Sequence, residues 1–316
     1  MTDALSADFD AGFNLLMEYD SLSVRQFLLK KGFTNNEIDW METVNDATGH
    51  YGTHSMSQAV MEEWIFYSAD ANNWTLINGG MDMLTKGMTH IIKNKPVLNH
   101  RVTNINKNFD KGLKIVINDT EEYDYAHVIS TVPMGALQII NMTELDLGYY
   151  QKTAFRTLNY DPATKIGFKF KTRWWENLST GSFKGGQSFT DLPIRRFVNG
   201  VSYEFLLSEF EDYHAYDWYD SAYSNGGFAM FSPGQFSSVM PWLMRPAAEG
   251  HMHFAGEALS SGHAWIIGAV NSAWRTVYEI LCTEGLEEKK KQFIEQWDII
   301  DEVDMCWYDW SPEGNP

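Results

Sequence analysis

The sequence has little cysteine and few basic residues for its length. Two cysteines among 316 residues, Cys282 and Cys306, are too few for a disulfide framework or a cysteine-rich metal site. Lys and Arg together number 24 against 42 Asp and Glu, so the formal net charge is −18. Because nucleic acids and anionic membranes bind basic protein faces, this balance predicts that neither is a partner.

The sequence also lacks any apolar run near the roughly 20 residues that a membrane-spanning helix needs. The opening residues, MTDALSADFD, are acidic and polar, unlike a secretory signal. These two absences predict a cytoplasmic chain, unless the natural N-terminus is missing. No GxGxxG, GxxxxGK(S/T), HExxH or GxSxG motif is present, so the common nucleotide, zinc-protease and serine-hydrolase signatures are absent.

Helical periodicity dominates the first 70 residues. Leucines and aromatics between positions 15 and 29 recur at spacings of three and four. They predict a helix that ends near residue 31, with Ser21 or Ser23 as its cap. A second helix is predicted over residues 55–67. On these residues alone, a helical lobe without chemistry is the favoured interpretation.

Strand signals follow in the next hundred or so residues. The stretch LINGGMDMLTKGMTHII predicts a strand, a glycine turn and a helix, and VLNHRVTNI, residues 113–117 and HVISTVP each predict a strand. In ATKIGFKFK, Ile166, Phe168 and Phe170 alternate with Lys and Gly, which predicts a strand with one buried face. Strands mixed with a helix suggest an α/β layer, and with the helical lobe the predicted fold class is α+β.

The sharpest local signal is the segment HMHFAGEALSSGHAWIIGAVNSA. It predicts a strand, a turn at Gly256 where the backbone can approach a ligand, and a helix from Ala264 to about Cys282 with SSGH as its cap. The helix start could hold an anion or cofactor, with Glu257 nearby, or be an ordinary strand–helix junction. The residues expected to lie on one apolar stripe of this helix are Ile267, Val270, Trp274, Val277 and Leu281.

Two histidines, His251 and His253, alternate on the strand of this segment. They could place two imidazoles on one face as metal ligands. No carboxylate or cysteine accompanies them, so two histidines at a surface or pocket edge are the favoured interpretation. No metal site is predicted.

This strand–turn–helix segment resembles the C-terminal flavin-binding signature of the flavin-dependent amine oxidases, and its HAWI start is similar to that of the L-amino-acid oxidases. Four other segments resemble the family in the same order: YDSLSVRQFLLKKGF, WTLINGGMDML, VLNHRVTNI, and ATKIGFKFKTRWWE followed by GGQSFTDLP. The resemblance covers about residues 13–285. It identifies the chain as a member of that family, of the L-amino-acid oxidase type, and implies FAD as the cofactor.

The resemblance also implies site roles by position. Lys165 would hold a water near flavin N5 and assist reoxidation by oxygen, although by its own pattern it is one of three lysines on a wet strand face. The helix start would stabilise the reduced, anionic flavin. Residues implied to contact FAD are Val102 through its backbone at the adenine end, Trp218 beside the flavin, Gly256 and Glu257 at the ribityl or pyrophosphate part, and Ile266, Ile267 and Ala269 at the pyrimidine edge. Those implied to border the substrate are Ala264, where many relatives have glycine, and Trp265.

The sequence departs from the family in two places. The N-terminal Rossmann unit is absent, and with it the glycine turn and the arginine that the resemblance assigns to the substrate carboxylate. After TDLP, Val198 and Asn199 replace an expected tyrosine and its neighbour, and a short span joins segments that lie far apart in relatives. The expected fold is therefore a partial two-domain flavin amine oxidase: a remnant of the FAD-binding layer, a substrate-domain sheet and a helical lobe. Apolar faces are expected to be exposed where the Rossmann layer would pack.

Five regions are predicted along the chain. They are a helical lobe (1–75), part of an FAD-binding domain (76–150), a shortened substrate-binding domain (151–235), the C-terminal part of the FAD-binding domain (236–285) and an acidic tail (286–316). The resemblance implies FAD-dependent oxidative deamination of an L-amino acid to a keto acid, ammonia and hydrogen peroxide, with oxygen as co-substrate. The alternatives are a catalytically inactive fragment, one subunit of a multi-chain flavin oxidase completed by a second copy or a partner chain with the Rossmann segment, and a monoamine or polyamine oxidase.

Overall fold

A computed structural model describes residues 1–45, 49–70, 75–108, 112–178, 181–182, 184 and 202–300. The GGQSFTDLP segment, the positions Val198 and Asn199 and the tail beyond residue 300 lie outside these residues. The described part mixes helices and strands, which confirms the predicted α+β class. The five predicted regions remain a prediction.

Helices open the chain, as the periodicity predicts. In order they are α1 (Thr2–Ala7), α2 (Phe9–Met17), α3 (Val24–Lys30), α4 (Asn35–Val44), α5 (His50–Thr53), α6 (Met56–Asp70) and α7 (Asp82–Ile91). Later helices are α8 (Met134–Leu137), α9 (Tyr149–Thr157), α10 (Tyr203–Glu209), α11 (Gln235–Ser238), α12 (Met240–Leu243), α13 (Ile266–Thr283) and α14 (Glu287–Trp297).

Helix α3 begins at a capping box. The Ser23 hydroxyl accepts a hydrogen bond from the Gln26 backbone N–H at 3.1 Å, and the Gln26 side chain accepts one from the Ser23 N–H at 2.9 Å. This arrangement satisfies two N–H groups that a helix start leaves without partners. Ser23 is therefore the cap, and the alternative, Ser21, is an exposed turn residue.

Replacing Ser23 with alanine is expected to lower the free energy of unfolding by about 1 kcal/mol, because the Gln26 N–H in the first turn then loses its acceptor. Chemical denaturation of the full chain measures the change. Ser21→Ala is the matched control and should stay within about 0.5 kcal/mol of the parent. An equal loss in both variants would contradict the assignment of the cap.

Seven strands form three small sheets in the described residues. The strands are β1 (Val102–Lys107), β2 (Leu113–Ile117), β3 (Glu121–Tyr125), β4 (Val128–Ser130), β5 (Thr164–Phe170), β6 (Phe210–Asp217) and β7 (Met252–Phe254). The first three form an antiparallel sheet in the order β1-β2-β3, β4 pairs with β7 in parallel, and β5 pairs with β6 in antiparallel fashion. The strands predicted over 113–117, at HVISTVP and at HMHFAGE are confirmed, whereas the strand predicted before the double glycine is absent from the described residues.

One hydrophobic cluster joins the opening helices to the sheets. It brings side chains of α1 and α2 against those of β1, β2, α12 and β7. Members that are almost fully buried include Leu5, Phe13, Leu16, Leu113, Met240 and Phe254. Because these residues come from distant parts of the sequence, the cluster fixes where β7 and the following loop lie.

Strand β5 is correctly predicted, but its expected buried face is wrong. Ile166 is 53% exposed and Phe168 is 62% exposed, since β5 pairs with β6 alone among the described strands. A two-stranded sheet has no second layer to cover its apolar side chains. Their alternation indicates a face suited to a covering layer, which the described residues do not provide.

Helix α13 is also correctly placed, but much of its predicted apolar stripe is exposed, as expected where a further layer would pack. Ile267 and Val270 are each 55% exposed, while the buried face carries Ser272, Arg275 and Glu279. These polar groups are bonded within the fold, and of the apolar stripe Trp274 alone is buried. The predicted cap is wrong too, because the N-cap is Trp265 and it makes no side-chain cap hydrogen bond.

Candidate functional site

Two parallel strands end at a small pocket. Strand β4 pairs with β7 through Val128 opposite Met252 and Ser130 opposite Phe254, and the Ala255 N–H continues the ladder to the Ser130 carbonyl at 2.9 Å. Beyond these ends lies a pocket of about 270 Å³. Its lining includes Val132, Pro133, Met134, Tyr160, Gly256, Glu257 and Ala269. The carboxyl ends of parallel strands are where α/β sheets bind ligands, so this pocket is the first candidate site.

Gly256 presents bare backbone to this pocket. Its φ of +137° lies in a region that L side chains rarely adopt, and no heavy atom stands within 4 Å of where a Cβ would be. The Gly256 N–H donates to the Ser272 hydroxyl of α13 at 2.8 Å. The glycine therefore keeps a fixed backbone with one open side, and its contact with a ligand stays a prediction.

Glu257 directs its carboxylate at groups of its own chain. One oxygen accepts from the Ala229 N–H at 3.0 Å, and the other accepts from the Ala264 N–H at 2.9 Å. The Tyr160 hydroxyl also bonds to this carboxylate and accepts from the Met134 N–H at 3.2 Å. Burial raises the pKa of Glu257 above its ordinary value, and these donors oppose the rise. The implied contact of Glu257 with FAD remains a prediction.

Tyr160 is a site residue that the sequence analysis missed. It lines the pocket and links Glu257 to the turn after β4. Burial raises the pKa of its hydroxyl, and the neighbouring Glu257 charge adds to the rise, so Tyr160 stays protonated at neutral pH. No local motif marks this tyrosine, because its partners are distant in sequence.

A larger cleft, of about 660 Å³, lies at the start of α13. It lies between α6 and the loop before α13, and its lining includes Trp64, Ile65, Ala264, Trp265, Ile266, Ile267 and Asn271. Here the structure brings together the two residues predicted to border substrate and two of those predicted at the flavin edge. Ala264 has a φ of +65°, a left-handed conformation that glycine adopts more easily.

The first turn of α13 packs closely on the loop before it. A Cβ at Gly268 would collide with the Gly262 carbonyl oxygen and the Ser260 hydroxyl. Only glycine allows this approach. The larger cleft borders one side of the start of α13, and Ala269 of the same helix lines the smaller pocket.

Lys165 lies on β5 and Trp218 directly follows β6, and neither residue lines either cavity. Lys165 is opposite Tyr216 in the register, and the Trp218 ring lies 4.5 Å from the Tyr216 ring, so the three side chains share one sheet face. The Trp218 carbonyl accepts from Ser224, which lines the smaller pocket. Their implied flavin roles stay predictions.

Val102, the residue predicted at the adenine end, begins strand β1. Its side chain is half-buried and packs against the hydrophobic cluster. It lines neither of the two cavities, so the structure does not join it to the other predicted contacts.

The two strand histidines have different surroundings. His253 is fully buried and donates through Nδ1 to Glu279 at 2.8 Å, whereas His251 bonds to the Ala126 carbonyl at 2.8 Å. His253 also contacts His127 at 3.3 Å, and His127 contacts Glu284 at 2.8 Å. The favoured surface-or-edge interpretation is therefore wrong for His253, which belongs to a buried polar network.

His263 is a second buried group that sequence analysis missed. Its Nδ1 lies 2.7 Å from Gln58 Oε1, and since a carbonyl oxygen only accepts, Nδ1 carries the proton. Its ring packs 4.2 Å from the Phe231 ring. Burial lowers the pKa of His263 to about 3, against a smaller opposing effect of nearby backbone carbonyls.

Acid is expected to destabilise the fold through His263. Its pKa is lower in the folded than in the unfolded chain, so the unfolded chain binds the extra proton as the pH falls. Between pH 7 and pH 5 this group should remove about 2 kcal/mol of stability. His263→Asn keeps a donor towards Gln58 but cannot titrate. In urea denaturation, this variant should therefore lose about 2 kcal/mol less stability than the parent between pH 7 and pH 5.

The exposed His90 supplies the control, because His90→Asn should leave the pH dependence of unfolding as in the parent. If His263→Asn and the parent lose stability in parallel between pH 7 and pH 5, His263 is not the responsible group.

A model of the family described as flavin containing amine oxidoreductase matches residues 9–205 and 194–281. The chain belongs to this family, and FAD is the cofactor that the family implies. Both were predicted from the sequence and both are confirmed.

Named relatives are similar to the chain over most of its length. An "L-amino-acid oxidase 4" of Hebeloma cylindrosporum is 30% identical and matches 93% of this chain and 60% of the relative. A "Putative bifunctional amine oxidase" of Dictyostelium discoideum is 32% identical and matches 96% of this chain and 34% of the relative. An "L-amino-acid oxidase" of Echis ocellatus is 25% identical over 82% of this chain. The chain thus spans from about a third to three fifths of the length of these relatives.

No helix among the described residues is long and apolar enough to cross a membrane.

Proposed function

We propose that this chain forms part of an FAD-dependent oxidase that converts an L-amino acid to a keto acid, ammonia and hydrogen peroxide. The observation that carries the proposal is the pocket at the ends of β4 and β7, with the open backbone of Gly256 beside the start of α13, in a member of the flavin containing amine oxidoreductase family. The relatives named as L-amino-acid oxidases favour amino acids over other amines.

The residues present fit one part of FAD. Bare backbone at Gly256 suits a ligand that lies across the strand ends, and the larger cleft offers apolar walls for a ring. The glycine turn that holds a diphosphate is absent from the sequence. The described residues therefore supply part of the cofactor site, and the rest has to come from outside them.

Within this site, the chain's own groups would bind and orient the cofactor. Gly256 and Glu257 would hold the sugar part of the cofactor, and Ile266, Ile267 and Ala269 would lie along its ring. The positive end of the α13 dipole favours negative charge at that place. FAD, when bound, supplies the acceptor for the two electrons removed from the substrate and passes them to oxygen.

The substrate side is formed by the loop before α13. Ala264 and Trp265 would border the substrate, and Trp265 lies edge-on to Phe66 of α6, with ring centroids 6.3 Å apart. Trp265, which lines the cleft, would help to exclude water from the reacting bond. Lys165 would hold a water near the ring, and Trp218 and Val102 would contact the cofactor, once the sheets they belong to are covered.

An alternative is favoured by the exposed apolar faces. Ile266, Ile267 and Val270 on α13, and Phe168 on β5, are exposed in the described chain. Exposed apolar patches mark interaction surfaces. A second chain, or a second copy, that covers them and brings the glycine turn would make this chain one subunit of a composite oxidase, and without such a cover the chain would be inactive.

The absorbance spectrum of the purified chain tests the proposal, recorded before and after incubation with excess FAD and desalting. A retained flavin band is expected, and a peroxide assay with L-amino acids beside monoamines and polyamines then identifies the substrate class. Turnover of amines alone would assign the chain to the amine oxidases. A retained flavin with no turnover of any amino acid or amine would overturn the enzymatic proposal, and no retained flavin would mean that this chain alone is not the oxidase.

A matched pair of variants locates the flavin. Ile267 and Val270 are equally exposed on α13, but only Ile267 lines the larger cleft. Ile267→Glu should abolish flavin retention, whereas Val270→Glu should keep it. An acidic residue in the first turn does not weaken a helix, so lost flavin would not reflect unfolding.

A further inference from the structure

Two histidines and an aspartate meet outside the candidate site. His50 and His54 lie one turn apart on and just after α5, and their rings are 4.2 Å apart. The His50 Nε2 lies 3.0 Å from Asp161 Oδ2, and the His54 Nε2 lies 3.3 Å from the same oxygen. The three atoms all lie within 4.8 Å of one another.

These distances match the ligand shell of a small metal ion. Imidazole nitrogens and carboxylate oxygens bind zinc at about 2.0–2.2 Å, so two ligands of a tetrahedral site stand about 3.4 Å apart. Both contacts to Asp161 are close to that length. Each ligand therefore needs only a small shift to share one ion.

The cluster also leaves buried polar atoms to be satisfied. The Nε2 of His54 and the Oδ2 of Asp161 are inaccessible to solvent and have no partner with hydrogen-bond geometry among the described residues. The His54 side chain is 7% exposed and that of Asp161 is 18% exposed. Buried polar atoms without a hydrogen bond are costly, and a bound cation would remove that cost at both atoms.

The charges around the cluster favour a divalent cation. Glu62 of α6 lies close enough to interact electrostatically with His50, His54 and Asp161. Two neutral imidazoles, the Asp161 carboxylate and a second acidic group nearby complement a charge of +2. Imidazole selects zinc and related transition metals over magnesium and calcium, which prefer oxygen ligands.

We propose that His50, His54 and Asp161 form a binding site for a divalent transition-metal ion, with zinc as the best fit. The site is separate from the cavities described above and does not depend on flavin binding. His50 begins the short helix α5 and His54 directly follows it, and the 4.2 Å between their rings places both imidazoles side by side.

The ion would join the helical part of the chain to the strand region. Asp161 follows Tyr160 directly, and its backbone pairs with Gly227 and Phe228. A metal held by α5 and Asp161 therefore fixes the segment that carries Tyr160, which bonds Glu257 in the smaller pocket. The role assigned to the ion is structural, because none of its ligands lines either cavity.

Calorimetric titration of the EDTA-treated full chain with zinc chloride tests the site. One zinc ion should bind per chain, and magnesium chloride should show no binding. Because even the partners of metal ligands change affinity 10–100-fold, His54→Gln and Asp161→Asn should each weaken zinc binding at least about 100-fold. His90→Gln, an exposed histidine on α7, is the matched control and should bind zinc like the parent.

Unchanged zinc affinity in His54→Gln, or no zinc bound by the parent, would overturn the proposal. If a ligand variant fails to fold, the parent still decides the question through cobalt substitution. The visible spectrum of bound Co²⁺ reports its coordination, and an octahedral spectrum like that of the free ion would also overturn the proposal.

Discussion

Arg275→Met is expected to lower the free energy of unfolding by about 3–5 kcal/mol, which is the cost of removing one partner of a buried ion pair. Arg275 is 1% exposed, and its guanidinium donates to the Met244 carbonyl at 3.0 Å, to the Phe254 carbonyl at 2.9 Å and to Glu279. Methionine fills similar volume but donates nothing. The variant therefore leaves a buried carboxylate without its cation and two carbonyls without that donor.

Urea denaturation at pH 7 measures this loss, and a second variant shows its origin. In Arg275→Met with Glu279→Gln, no uncompensated charge remains, and the amide can still accept from His253. The double variant should therefore be more stable than Arg275→Met alone. Equal stability would mean that the lost backbone hydrogen bonds, rather than the buried charge of Glu279, account for most of the loss of stability.

Arg275 connects stability to the candidate site. Its bond to Phe254 ties the end of β7 to α13, two residues before Gly256. Ser272 on the same helix accepts from the Gly256 N–H. The buried polar face of α13 therefore sets the position of the backbone that the ligand is expected to approach.

Local signals predicted the elements around the site, but not what covers them. A serine cap at position 21 or 23 and a glycine turn at position 256 are both readable within a few residues, and the structure has the cap at Ser23 and a positive φ at Gly256. The apolar stripe of α13 is equally clear in the sequence, yet Ile267 and Val270 are exposed. Periodicity reveals that a face is apolar, whereas its burial depends on another layer.

The parts of the candidate site and of the proposed metal site that the sequence could not predict depend on contacts between distant segments. Tyr160 reaches Glu257 across 97 positions (257 − 160 = 97), and His54 reaches Asp161 across 107 positions (161 − 54 = 107). Neither pair has a local spacing that marks it. The contiguous stretch from Ala264 to Ile267 was predictable as a unit, because neighbours on a loop and a first helical turn must share one cleft.

Glu257→Leu is expected to lower the free energy of unfolding by about 2–4 kcal/mol. Leucine leaves the Ala229 and Ala264 N–H groups and the Tyr160 hydroxyl without their shared acceptor. Each buried donor left unsatisfied costs about 1–3 kcal/mol, and partial access of water to the Ala264 side reduces the sum. Thermal or urea denaturation of the full chain measures the loss.

Tyr160→Phe tests whether the hydroxyl and the carboxylate act as one network. Alone it should cost about 1–2 kcal/mol, since the Met134 N–H also loses its acceptor. In the Glu257→Leu background the same change should cost about 0.5–1.5 kcal/mol less, because the bond between the two side chains is already gone. Strictly additive losses would show that Tyr160 and Glu257 are independent.

The Glu257→Leu variant also separates the two roles open to Glu257. The structure gives its carboxylate three donors within the chain, whereas the family resemblance gives it a contact with FAD. If the carboxylate mainly supports the fold, Glu257→Leu loses stability, and flavin retention falls only as far as the folded population does. If it mainly holds the cofactor, stability stays near that of the parent and flavin retention is lost at temperatures where the chain is fully folded.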